Sequence, residues 1–188
     1  QNYNTENHLV RVDDCTGGIG TSSTVGSTCN QNWTMIETGT GTALFVDGEV
    51  DHLGIKRLTT SAANGDDTII FMGSTATLNV FDSDDAFDLS FIIRPVTSVA
   101  TVTYMAGANV NTAAGSVAAN ENAQFMFSSA DPQWQCRTRS VGGTDETTDS
   151  GVTVTADTWY NLRVLKDGGT IRFLINDVNV CNHSTQIP

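Results

Sequence analysis

Residues 158–188, TWYNLRVLKDGGTIRFLINDVNVCNHSTQIP, constrain the fold more than any other stretch of this chain. Tyr160, Leu162 and Val164 share one face of a run whose opposite face carries Trp159 and Leu165. Beyond Lys166-Asp167-Gly168-Gly169, the residues Ile171, Phe173 and Ile175 alternate with Arg172, Leu174 and Asn176. A period of two is the signature of a strand, because successive side chains point to opposite faces. Interrupted by Asp-Gly-Gly it predicts a hairpin, since glycine supplies the positive φ of a tight turn without strain. A second turn at Asn176-Asp177 leads into another short strand through Val178 and Val180. This meander is expected to form the sheet core against which the rest of the chain packs.

The same alternation recurs upstream. Ala43 to Val46, His52 to Thr60 and Thr68 to Met72 read as strands between Gly- and Asn/Asp-rich turns. Residues 87–93 place Leu89, Phe91 and Ile93 on one face, and residues 99–105 read as the antiparallel partner of that strand. A small-residue loop over 107–120 precedes strands at 123–127 and 133–140, and the acidic, Thr-rich run 144–154 suits an edge strand. Turn signals at spacings of roughly 8–12 residues are the pattern of an all-β sandwich. No stretch has the 3.6-residue periodicity of a long amphipathic helix, and no internal repeat occurs. The expected architecture is all-β, an antiparallel two-sheet jelly-roll sandwich. Residues 1–32 are polar, Gly/Ser/Thr-rich and weakly patterned, so they read as an N-terminal arm preceding a β-sandwich domain over 33–188.

At 188 residues the chain is long enough for one domain with its own core. Its formal charge of −12 repels phosphate backbones, and no basic patch interleaved with aromatics is present, which argues against nucleic-acid binding. No window has the apolar length of a transmembrane helix, so a soluble chain with no membrane partner is expected. The sequence opens at Gln1 rather than Met, as in a processed chain or a portion of a longer polypeptide. Residues 1–14 lack the basic and apolar regions of a signal peptide.

Cysteines stand at 15, 29, 136 and 181. Cys15 and Cys29 bracket a Gly/Ser/Thr-rich segment, and a disulfide closing a loop of that size contributes about 3 kcal/mol by restricting the unfolded chain. Cys136 and Cys181 lie within strand patterns, where cysteine commonly serves as a small buried hydrophobe. They can pair only if their Cα atoms come close. No Cys/His spacing suggests zinc.

Candidates for chemistry are sparse. Glu49-Val50-Asp51 places two carboxylates on one strand face, the arrangement that jelly-roll glucanases use together with a third carboxylate; here His52-Leu53-Gly54 follows, and the third is missing. Asp82, Asp84, Asp85 and Asp88 form the densest acidic cluster, which a Ca²⁺ ion could use, although the EF-hand glycine and Glu are absent. A solvated turn is the simpler reading of that cluster, as it is of Asn64, Asp66 and Asp67. His8, His52 and His183 have no recognisable ligand partners in sequence, and no cofactor motif is present. Asn32-Trp33-Thr34 and Asn182-His183-Ser184 match the N-glycosylation acceptor, a pattern that arises often by chance. Of the aromatics a sugar could stack on, Trp159 begins a patterned strand and is expected to be packed. Trp134, after Asp131-Pro132, is expected at a strand start with its ring partly exposed, and is the candidate carbohydrate contact.

The C-terminal half resembles concanavalin A-like, laminin-G-like sandwich domains common in tailed-phage structural proteins. The residues that carry the resemblance are Trp134-x-Cys136-x-Thr138-Arg139, Thr148-Asp149-Ser150-Gly151-Val152, Thr158-Trp159-Tyr160-x-Leu162-Arg163-Val164, Ile171-Arg172-Phe173-x-Ile175-Asn176-x-Val178 and Thr185-x-Ile187-Pro188. Asp51-His52-Leu53-Gly54-Ile55 resembles an earlier strand of the same family, so the likeness spans 33–188. It implies a capsid decoration protein or a tail-fibre domain at a virion surface, with no catalytic residues to carry over. Such domains usually continue past Ile-Pro into one more strand, and the Cys15–Cys29 arm lies outside the likeness. An absent last strand would leave an open sheet edge, which the arm or a neighbouring subunit's segment could fill.

Together these readings point to a non-enzymatic structural protein of a virion surface or extracellular assembly, acting through contacts with copies of itself and other structural subunits. The alternative is a lectin-like module recognising a cell-surface glycan.

Overall fold

The computed structural model describes residues 33–38, 42–45, 49–50, 55–60, 67–72, 86–96, 103–109 and 121–188. They contain twelve strands and no helix, hence no helix long and apolar enough to cross a membrane. The chain divides into two compact units, residues 1–80 with 112–118, and residues 81–111 with 119–188. The expected N-terminal arm over 1–32 lies outside the described residues.

The first unit holds two antiparallel strand pairs. β1 (Trp33–Thr38) pairs with β4 (Asp67–Met72), and β2 (Thr42–Phe45) pairs with β3 (Lys56–Thr59).

The second unit holds two four-stranded antiparallel sheets. One has the order β12-β11-β10-β5, built from β5 (Phe87–Ile93), β10 (Tyr160–Asp167), β11 (Thr170–Ile175) and β12 (Val178–His183). The other has the order β6-β7-β8-β9, built from β6 (Thr103–Asn109), β7 (Asn122–Ser128), β8 (Asp131–Arg139) and β9 (Glu146–Thr153).

The C-terminal meander folds as its alternation requires. Asp167 faces Thr170 across Gly168-Gly169, where Gly168 takes φ 58°. Ile175 faces Val178 across Asn176-Asp177, whose φ values of 51° and 66° are both left-handed, the requirement of a two-residue type I′ turn. Asparagine and aspartate tolerate that region better than other side chains. Asn176 also accepts the Asn161 N–H on its side-chain oxygen (2.9 Å), tying the turn to β10.

Of residues 99–105, read from sequence as the partner of β5, those described, 103–105, belong to β6 and do not pair with β5; 99–102 lie outside the described residues. β6 pairs with β7, and β5 pairs with β10 from Phe87↔Lys166 to Ile93↔Tyr160. The alternation of a strand specifies which face is apolar but not which strand lies beside it. Within the new pairing, β6 and β7 approach closely at Gly107, where an added Cβ would lie 2.3 Å from the Ala123 carbonyl oxygen.

One buried cluster draws on both sheets. Leu162, Val164, Ile171, Phe173 and Ile175 come from the first; Phe125, Phe127, Trp134 and Cys136 come from the second. Phe125 meets Phe173 edge-on with ring centroids 5.2 Å apart, and Trp134 meets Tyr160 likewise at 5.8 Å. Edge-to-face contact is the arrangement aromatic quadrupoles favour, and it adds about 0.5–1.5 kcal/mol per pair beyond area burial. The Tyr160 hydroxyl accepts the Thr155 N–H and donates to the Thr153 carbonyl, so its polar end is satisfied where the chain passes from β9 to β10.

Phe173→Ala, removing a fully buried ring at the contact of the two sheets, is expected to destabilise the protein by about 3–5 kcal/mol. Ile92→Ser, on the exposed face of β5, should change stability by less than about 0.5 kcal/mol. Denaturant midpoints of the two variants check this contrast.

Candidate functional site

The most heavily built feature of the second unit is the joint between β12 and the β6–β9 sheet. Cys181 is bonded to Cys136 of β8, with Cα atoms 6.4 Å apart across the two sheets. Each cysteine sits on the buried phase of its strand, which is why neither the spacing nor the strand order in sequence announced the pair. Cys15 and Cys29, the pair favoured from sequence, lie outside the described residues.

Two residues beyond Cys181 on β12, His183 is buried on the same face. Its Nδ1 lies 2.8 Å from the Thr138 hydroxyl of β8, and its Nε2 lies 3.1 Å from the Thr148 hydroxyl of β9. A neutral imidazole accepts at one nitrogen and donates at the other, and a threonine hydroxyl can play either part, so both contacts are satisfied whichever tautomer is present. The ring also meets Phe173 at 5.2 Å. Burial pushes the His183 imidazole below its usual value, and the Glu146 carboxylate offsets part of that shift. The Cys181 sulfur is 3.8 Å from the Thr148 carbonyl; being disulfide-bonded, it has no proton to donate, so this is a packing contact.

Cross-strand register extends the polar joint into the sheet interior. His183 pairs with Ile171, and Ile171 with Lys166, so a histidine and a lysine flank one isoleucine on the inner face. Lys166 is buried, and its Nζ donates to the Pro188 carbonyl at 2.9 Å. Gln186 accepts from the Ser140 hydroxyl (2.9 Å), Thr185 donates to Glu146, and Ile187 packs against the buried cluster. Residues 184–188 are thus held by Ser140, just past β8, and by β9 on one side and by β10 on the other.

The outward faces of the two sheets differ. On the β5/β10 side Asp88, Ser90 and Ile92 are exposed, and Arg163 donates two hydrogen bonds to the Asp88 carboxylate. Leu165 and Leu174 lie half-buried beside Arg163 and Arg172 in adjacent strands of that face. On the β7/β8 side, Asn122, Gln124 and Arg137 are buried although they alternate with the core residues. Arg137 is paired with Asp145 at 2.6 Å, and Arg139 reaches the same carboxylate at 3.4 Å. Gln135 donates to Asp131 (2.6 Å) and to Asp149 (3.3 Å), linking β8 to β9.

The sequence candidates fall as follows. Trp134, expected to show part of its ring, is completely buried against Phe125, Phe127 and Tyr160. The strand begins at Asp131, so Trp134 lies inside it rather than at its start, in the inward phase with Cys136 and Thr138; it offers no face to a sugar. Its Nε1 has no hydrogen-bond acceptor among the described residues. Trp159, expected to be packed, is half-buried, with the Arg94 guanidinium 5.0 Å from its ring centroid. Of the acidic cluster only Asp88 is described, and it serves Arg163; Asp82, Asp84 and Asp85 lie outside the described residues, as do Asp51, His8, His52 and the Asn64–Asp66 turn. Among the described residues no group of three or more His, Cys, Asp or Glu side chains is placed to hold a metal ion. From sequence His183 had no recognisable partner and Lys166 was read as part of a turn, though a strict count of the period would have put Lys166 in phase with Tyr160, Leu162 and Val164.

With this geometry in hand, comparison with known proteins returns no matching family model, no matching curated protein and no matching solved structure.

Replacing both cysteines, Cys136→Ala with Cys181→Ala, removes a cross-link over a sequence separation of 45 residues. The chain-entropy relation puts the loss of stability near about 4 kcal/mol for a loop of that size, with 2–4 kcal/mol the usual range. Equilibrium unfolding under non-reducing conditions measures the loss. Peptide mapping should recover the 136–181 linkage from the native protein.

Proposed function

We propose that the chain is a non-enzymatic structural protein of a virion surface or extracellular assembly, a concanavalin A-like jelly-roll sandwich acting through contacts between copies of itself. The observation that carries this reading is β12. It stands at the rim of its sheet, fastened from within by Cys136–Cys181, and no described strand pairs with its outer edge. A rigid rim strand with free backbone donors and acceptors is a template for strand addition by a neighbouring subunit. The disulfide supports an oxidising setting, where such bonds persist. The acidic surface favours solubility of the free subunit and keeps nucleic acid away.

A second reading, a carbohydrate-binding module, draws on the β8/β9 row of Asp131, Gln135 and Asp149. Planar amides and carboxylates of this kind suit sugar hydroxyls, and these three are already held in place by one another. With Trp134 in the core, that reading has lost its aromatic platform and rests on polar contacts alone.

Light scattering on the purified chain, with and without EDTA, tests the first reading. A closed oligomer or polymer that survives EDTA is expected. Assembly lost with EDTA would bring back a Ca²⁺ site in the Asp82–Asp88 cluster. A monomer indifferent to EDTA overturns the structural reading, and binding on a glycan array would then establish the second.

A further inference from the structure

The tie between β12 and the β6–β9 sheet is double. Cys181 is bonded to Cys136, and two residues along both strands His183 meets Thr138, so the two links lie side by side. They are chemically independent: a reductant cleaves one, and a proton weakens the other by bringing a charge into a buried site. We propose that they are two locks on one strand, and that mild acid promotes the opening of β12 with residues 184–188 only once a thiol reductant has cleaved the disulfide.

The redox step is ordinary exchange. A small dithiol transfers two electrons and two protons to the Cys136–Cys181 bond, giving two thiols and its own disulfide. With the bond intact, the covalent link keeps Cys181 beside β8 whatever the pH. With the bond cleaved, β12 keeps His183 as its main side-chain link to β8 and β9 among the described residues, beside the weak donor that a Cys181 thiol would offer the Thr148 carbonyl.

The groups that face His183 decide how it answers acid. Thr138 comes from β8, Thr148 and Glu146 from β9, Phe173 and Ile171 from β11, and Lys166 of β10 stands one strand further on the same inner face. Thr185 is engaged with Glu146, and Arg137 and Arg139 are committed to Asp145. Imidazolium can donate to both threonines, so protonation breaks neither hydrogen bond; its cost is a charge in a site closed to water. The sign follows directly. The buried imidazole sits below its usual value, whereas an opened strand returns it to water and a value near about 6.5. Opening therefore takes up a proton. The closed state has its full stability above about pH 6.5 and loses it as pH falls from there toward the lower folded value. At about pH 5.5, above the ordinary carboxylate range, one imidazole can favour opening by at most about tenfold.

Hydrogen exchange of the full chain, read on peptides covering β12 and residues 184–188, tests this at about pH 7.5 and 5.5 after correction for intrinsic rates, with and without a phosphine reductant active at both. With the disulfide intact, protection of β12 should be equal at both values. After reduction, opening should be up to about tenfold greater at the lower value, the ceiling for one imidazole. His183→Gln in the reduced protein should remove that difference. Should His183→Gln fail to fold, the Cys136→Ala/Cys181→Ala protein carries the test without reductant: its opening must rise by up to the same factor on acidification and level off above about pH 7. Acid opening of β12 with the disulfide intact, a reduced protein indifferent to pH, or a His183→Gln protein that keeps the response would each overturn the proposal.

Discussion

The edge-on contact of Phe125 with Phe173 is where one sheet of the second unit meets the other, and much else depends on it. Phe125 brings Trp134 with it, Trp134 brings Tyr160, and Phe173 brings His183, so four aromatic rings from four strands and one imidazole form a continuous layer. Such a layer is stiff because each ring has few rotamers and each edge must find a neighbouring face. It also fixes the distance between β8 and β12 closely enough for a disulfide to form across the sheets.

Sequence periodicity made the inward faces legible wherever one residue in two is strongly apolar. Ile171, Phe173 and Ile175 are buried in alternation with Arg172 and Asn176, and both turns of the meander fall where glycine, asparagine and aspartate allow left-handed backbone. Partner choice was not legible. β5 looked ready to pair with the next strand along the chain, yet it pairs with β10, because pairing is settled by contacts remote in sequence. Trp134 was misplaced for a related reason: the Asp131-Pro132 signal marks a local turn, while the burial of the indole depends on Phe125, Phe127 and Tyr160 arriving from other strands. The joint around His183 was equally hidden, since each of its residues is unremarkable in its own segment.

The two outward faces show how differently one sequence rule can resolve. Alternation predicts polar, solvated side chains on both, and on β5 and β10 that holds for Asp88, Ser90 and Arg163, although Ile92 and Leu165 share the face. On β7 and β8 the outward residues Asn122, Gln124 and Arg137 are polar but buried, so polarity there does not mean contact with water. Buried polar groups of this kind are satisfied by partners rather than by solvent, as the pairing of Arg137 with Asp145 illustrates.

The pairing of β5 with β10 joins residues some seventy positions apart, as the Ser90 to Asn161 hydrogen bond with a separation of 71 makes plain. During synthesis β5 leaves the ribosome long before the strand it needs, and the sheet on which it belongs cannot exist until the C-terminal meander has emerged. The meander itself is local and closes quickly across two-residue turns, so it offers a ready template once it has emerged. Until then Leu89, Phe91 and Ile93 have no mate, and the chain passes through a period in which an apolar strand is open to the wrong partner. Folding of this sheet runs against the direction of synthesis, a later-made hairpin calling in a strand made far earlier.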